Sequence, residues 1–177
     1  MLRQDEMPDN VSTGRPPQWG MLSSAIVGDL YYRRSRFSTK LMTDRLYTPS
    51  HFWVKEHDPG CWRVGLTKFA ARMLGDVVDV GFETAADAAV RLGDAIGWFE
   101  GFKARSDLYS VVEGRFIGGN PVLADDVDVI DRDRYGAGWL YAVEGRVDPD
   151  ARDAAGYVQF LDHVIDRMRG RSSEGQQ

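Results

Sequence analysis

The chain has 177 residues, 43% of them apolar and 28% charged, and carries a formal charge of -5 at pH 7. That length allows one well-buried core with tails rather than two full domains. The mildly acidic balance offers no footprint for a phosphate backbone and so no nucleic-acid partner; the single cysteine, Cys61, closes no internal disulfide, and no apolar run is long enough for a membrane span.

Residues 1–18 combine Asp5, Glu6 and Asp9 with Pro8, Pro16 and Pro17, a composition unable to bury itself, and a disordered tail is expected. Residues 19–45 form an N-terminal extension and a candidate helix, because Leu22, Ile26, Val27 and Leu30 can line one helical face. In the basic stretch from Tyr31 to Arg45, five cations outnumber Asp44; it reads as a solvated helix end or as a candidate docking surface. Arg33, Arg34 and Arg36 are followed by Ser38, Lys40, Asp44 and Arg45, not by the apolar region of an export signal, so a cytoplasmic protein is expected.

A core domain is expected over residues 46–170, with a disordered tail over 171–177. Phe52 to Lys55 and Trp62 to Leu66 are aromatic and β-branched around Asp58, Pro59 and Gly60, which predicts a hairpin. Thr67 reads as an N-cap, Phe69, Ala70, Met73 and Leu74 as a short helix, and Gly75 as its left-handed stop. Val77 to Phe82 alternates as a strand does. Ala85 to Leu92 fits either a helix or a strand that turns back at Gly93 and Asp94.

Ile96 to Phe102 and Leu108 to Val112 are apolar strands flanking a polar turn, with Gly114 ending the second before a further strand from Arg115 to Ile117. A run of aspartates from Asp125 to Asp133 precedes the strand-like Trp139 to Val143. Tyr157, Leu161, Val164, Ile165 and Met168 mark one face of a terminal helix introduced by Asp148 and Pro149. Many short strands with peripheral helices predict a mainly β fold, a small sandwich or flattened barrel.

The most informative window is Glu100-Gly101-Phe102-Lys103-Ala104-Arg105-Ser106-Asp107. A lysine on a turn between two apolar strands is held outward on a rigid support, which suits covalent attachment of a swinging cofactor. Read alone, the same window also describes an ordinary solvated turn lysine.

From about Tyr47 to about Met168 the sequence resembles the glycine cleavage H-protein family. YTPSHFWV, from Tyr47, is similar to the family's opening S-H-E-W-V; GLTKFAARMLGD, from Gly65, to G-I-T-x-x-A-x-x-x-L-G-D; EGFKARSD, from Glu100, to the lipoylation motif E-S-V-K-A-x-S-D; and YGAGWL, from Tyr135, to Y-G-x-G-W-L. The resemblance implies a barrel-sandwich hybrid fold with a short internal helix and a C-terminal helix. It implies lipoate in amide linkage on Lys103, with Glu100, Gly101, Phe102, Ala104 and Asp107 forming the attachment turn. It also implies modification by a lipoate-protein ligase and reoxidation by dihydrolipoamide dehydrogenase. Biotin carriers place methionine on both sides of their lysine, where Phe102 and Ala104 stand here.

In the family a serine and two carboxylates shelter the amine carried on the arm, at positions that fall on Ser50, Phe52 and Asp107 of this chain. Ser50 and Phe52 are thus the implied arm cleft, with one carboxylate replaced by an aromatic ring. Losing an anionic partner from a partly buried ammonium site costs on the order of 1 to 3 kcal/mol, and a cation–π contact returns about 0.5 to 2. With Gly101 and Phe102 also departing from the motif, the sequence leans towards a related branch: the lipoate-binding protein of heterodisulfide-reductase-like sulfur oxidation, which passes sulfur by thiol–disulfide exchange. The alternative is the H protein itself, shuttling an aminomethyl group among the glycine cleavage enzymes.

Other constellations are weak. His51, His57 and Cys61 lack a fourth metal ligand and regular spacing, and the aspartate run lacks the glycine and closing glutamate of a calcium loop. Cys61 is a candidate redox partner for the arm or an incidental thiol. With no triad, dyad or phosphate loop, a carrier is expected rather than an enzyme.

Overall fold

In the computed structural model, which describes residues 28–102 and 105–174 with side chains as far as residue 170, the chain opens on a β-hairpin. Strands β1 (Asp29–Arg34) and β2 (Phe37–Met42) pair antiparallel, with Tyr32 opposite Thr39. Over residues 29–42 this corrects the helix expected in the extension. Tyr32, Phe37, Thr39 and Leu41 are buried while Tyr31, Arg33 and Lys40 are exposed, a period of two rather than 3.6, and Ser35 turns the chain at φ 54°. Residues 19–27 and the tail expected over 1–18 lie outside the described residues.

The expected hairpin follows as β4 (Phe52–Asp58) and β5 (Cys61–Leu66), preceded by the short β3 (Leu46–Tyr47). Helix α1 (Lys68–Leu74) is capped as predicted: Thr67 Oγ1 accepts the Ala70 N–H at 3.2 Å, and Gly75 ends the helix at φ 82°. β6 (Val77–Phe82) comes next. Of the two readings of residues 85–92, the strand that turns back is the one found, as β7 (Ala89–Val90) and a turn in which the Asp94 N–H donates to the Arg91 carbonyl at 3.2 Å.

The remaining strands are β8 (Ala95–Gly101), β9 (Arg105–Tyr109), β10 (Val112–Gly119) and β11 (Tyr141–Val147). Gly114 does not end a strand. It lies within β10 opposite Gly145, where a Cβ would collide with the carbonyl of Glu144. The aspartate run folds into a 3-10 turn (Pro121–Ala124) and α2 (Val129–Arg132).

Helix α3 (Ala154–Glu174) starts later than expected. Asp148 instead closes a local turn, its Oδ1 accepting the Asp150 N–H at 2.8 Å, and Arg152 is held extended by a bridge to Tyr47. Asp153 does the capping, its carboxylate accepting the Gly156 N–H at 2.7 Å. The α3 backbone continues to Glu174, into the expected tail, and residues 175–177 lie outside the described residues.

The strands form a six-stranded sheet, β3-β4-β5-β11-β10-β7, a three-stranded sheet, β6-β8-β9, and the β1-β2 hairpin. Phe52, Val54, Val64, Leu66, Phe116 and Val143 of the larger sheet pack against Val77, Ile96, Phe99 and Leu108 of the smaller, and this is the core of a β-sandwich. A second cluster joins Tyr32, Phe37 and Leu41 of the hairpin to Tyr157, Leu161 and Ile165 of α3 over Tyr47 and Trp53. Successive residues of β4 therefore serve different cores, Phe52 inside the sandwich and Trp53 beneath α3. Among the described residues no helix is long and apolar enough to cross a membrane.

Candidate functional site

β8 and β9 are antiparallel, and their last pair is Glu100 opposite Arg105. The connection between β8 and β9 is residues 102–104, of which Lys103 and Ala104 lie outside the described residues. The approach to it is fixed from one side: Gly101 pairs with Val77, and the Phe102 N–H donates to the Asp76 carbonyl at 3.1 Å. The Phe102 ring is left 83% exposed. An aromatic of that size in solvent contributes little to the core and is available to another molecule.

Alternation along the hairpin sends Phe99 and Leu108 into the sandwich and Trp98, Glu100, Arg105 and Asp107 to the outer face. There the Arg105 guanidinium lies 4.0 Å above the Trp98 ring and 3.6 Å from the Glu83 carboxylate. The Asp107 carboxylate accepts a hydrogen bond from the Tyr109 hydroxyl at 2.9 Å, which raises the Tyr109 pKa. Trp98 and Arg105 together stiffen the base of the connection. The pairing of Trp98 with Arg105 was not read from the sequence, although their shared face follows from counting back from the turn.

Of the residues expected to line an arm cleft, Ser50 and Asp107 are exposed and Phe52 is not. Ser50 is exposed, its hydroxyl 3.0 Å from that of Thr48. Phe52 is 7% exposed and stacks on Phe99 at 6.5 Å with an interplanar angle of 19°. Its ring fills the sandwich, on the opposite side of the β8–β9 sheet from Asp107, and does not wall a solvent-facing cleft. The run His51-Phe52-Trp53-Val54 held a signal for this, since a strand start that is apolar at consecutive positions is buried on both faces.

The chain matches the glycine cleavage H-protein family across residues 45–157. It belongs to that family. The H protein of Shewanella sp. strain ANA-3 is 34% identical over 128 residues, 70% of this chain and 98% of the relative. That of Listeria monocytogenes serotype 4a is 37% identical over 112 residues, 63% of this chain and 88% of the relative. The crystal structure of the Mycobacterium marinum H protein superimposes with a TM-score of 0.59 at 34% identity, covering 66% of this chain and 95% of that one. The β1–β2 hairpin and α3 beyond Tyr157 lie outside the H-protein match.

His51, in the H-protein opening, is half-buried between Phe69 and Phe160 with ring centroids at 4.5 and 5.6 Å. Its Nδ1 lies 2.8 Å from the Tyr157 hydroxyl, and burial lowers its pKa to about 4. His57 stands near the far end of β4, so nearness in sequence does not bring it to His51. Among the described residues no group of three or more His, Cys, Asp or Glu side chains is arranged to hold a metal ion. Cys61 is half-buried, and burial followed by the charges of Asp58 and Glu144 raises its thiol pKa, which reduces the thiolate needed for redox exchange.

Proposed function

We propose that this chain is the carrier protein of a glycine cleavage system, with lipoate in amide linkage on Lys103 and no turnover of its own. What carries the reading is the position of EGFKARSD: within the family match, the lysine falls on the short connection between two paired strands whose flanking residues, Phe102 and Arg105, are exposed. A ligase needs an amine reachable from solvent, and the exposed neighbours Phe102 and Arg105 are surroundings that fit the group. Lipoate supplies a disulfide–dithiol that takes up an aminomethyl group and gives it to an acceptor.

The protein's own part is presentation. The Asp76 carbonyl and Val77 hold Phe102 and Gly101, and the Trp98–Arg105 stack braces the other strand, so the connection starts from a fixed base. Asp107 and Ser50, both exposed, are the groups left to meet an amine on the arm. Glu100 adds a carboxylate on the same face as Asp107. The partners implied are a lipoate-protein ligase, glycine decarboxylase, aminomethyltransferase and dihydrolipoamide dehydrogenase, in the cytoplasm.

Carriage of sulfur for a heterodisulfide-reductase-like complex had its main ground in Phe52 as an apolar cleft wall. A ring stacked on Phe99 inside the core does not serve that role, and glycine cleavage is the reading we adopt. Expression with the cognate lipoate-protein ligase, followed by peptide mapping by mass spectrometry, tests the attachment. The lipoyl adduct is expected on Lys103 alone; an adduct on another lysine, or none, would refute it.

A further inference from the structure

The β1–β2 turn, α1 and α3 enclose an open groove of about 550 Å³. Phe37 and Phe69 pack edge to face in its floor, 5.4 Å apart at 89°, beside Ile165. Met73 and Met168, 57% and 41% exposed, stand at its edges. Arg34, Arg36, Arg72 and Arg169 supply its charge, and among the described residues no carboxylate joins its lining. Asp162 and Asp166, outside that lining, hold Arg34. A cationic end on a chain of net charge -5 is a local arrangement, not a reflection of composition.

Only Phe69, Arg72 and Met73 of this lining fall within the residues matched by the H-protein family. The groove is therefore built chiefly by what this chain adds to the family fold. It also adjoins the carrier hairpin. Met73 is near the end of α1, and three residues later the Asp76 carbonyl holds the Phe102 N–H.

We infer that this groove docks an acidic amphipathic helix of a partner protein, with the helix's apolar face on Phe37 and Phe69 and its carboxylates on the arginines. The arginines come from three separate elements around the floor, a spread that answers carboxylates placed along a helix better than it answers one compact anionic head group. The open floor needs an occupant that brings its own cover, as a helix on a larger protein does. Two methionines at the edges let the walls adjust to side chains of different shape. A partner held here sits beside the arm, yet the docking does not depend on Lys103 being modified.

The test uses the full chain and, as probe, a fluorescein-labelled helical peptide of about five turns with leucine along one face and glutamate on the other. Its copy with lysine for glutamate is the control, and fluorescence anisotropy is the readout. The acidic peptide is expected to bind and the basic copy not to. Arg36→Glu and Arg72→Glu should each weaken binding by about tenfold, and added salt should weaken it further. Because Arg72 also donates to the Arg36 carbonyl at 3.1 Å, the exposed edge variant Met73→Glu is read alongside, with circular dichroism to confirm folding; it should weaken binding as well. Equal binding of the two peptides, or binding unchanged in all three variants, overturns the inference. So does saturable binding of dodecanoate to a groove that ignores the acidic peptide, which would assign the groove to a small amphiphile.

Discussion

His51 and Tyr157 meet at 2.8 Å, imidazole Nδ1 to phenol oxygen, across 106 residues of chain. The same hydroxyl lies 3.3 Å from Thr67 Oγ1, which itself donates to the His51 carbonyl at 2.8 Å. One network thus fastens α3 to the start of β4 and to the cap of α1, with Phe69 and Phe160 packed against the imidazole.

A stability change with pH follows. Burial lowers the His51 pKa to about 4, against about 6.5 in an unfolded chain. The unfolded state binds the proton first, so the contribution is fully present above pH 6.5 and is lost as pH falls towards 4, reaching roughly 3 kcal/mol. Carboxylates with lowered pKa, such as Asp44, act at lower pH and do not blur this window. Urea unfolding at pH 7.5 and pH 4.5 should show the loss. His51→Asn, which keeps the positive φ of 68°, should be less stable at pH 7.5 and show a flatter pH slope; an unchanged slope would remove His51 as its source.

Phe52→Glu restores the carboxylate found in the family's opening, but at a site that is 7% exposed and stacked on Phe99. A buried carboxylate without a cationic partner is either protonated or unfolds its surroundings. We expect a loss of about 3 to 5 kcal/mol in stability and no gain in glycine cleavage. A folded variant of native stability with improved turnover would mean that Phe52 lines the cleft after all.

Gly65 lies across the sheet from Trp53, and a Cβ there would fall within the indole. The indole cannot swing away: it is 2% exposed, and the Arg45 guanidinium lies 4.8 Å from its ring centroid. Gly65→Ala should cost about 1 to 3 kcal/mol, measured by thermal unfolding. A neutral result would show that the second core repacks freely.

Where structure is decided within a few residues, it was legible in the sequence. Thr67 and Gly75 bound α1 through their own backbone and hydroxyl geometry, and Asp58-Pro59-Gly60 turns β4 into β5. The two strands expected on either side of the EGFKARSD turn are β8 and β9. What was missed is decided at a distance. The candidate helix fails where it runs into residues 29–42: Tyr32 finds Asp162 at 2.8 Å and Arg34 finds Asp162 and Asp166, each more than 120 residues on, and these contacts favour a hairpin laid on α3. The burial of Phe52 likewise depends on Phe99 in the other sheet, which motif correspondence does not reveal.

The most direct test of the carrier reading is glycine cleavage reconstituted from glycine decarboxylase, aminomethyltransferase and dihydrolipoamide dehydrogenase, with this chain as the only lipoylated protein. We predict glycine-dependent reduction of NAD that saturates with added lipoylated chain and is abolished in Lys103→Arg, whose fold should be intact by circular dichroism. Absence of turnover by the fully lipoylated, folded chain, or turnover that persists in Lys103→Arg, would contradict it.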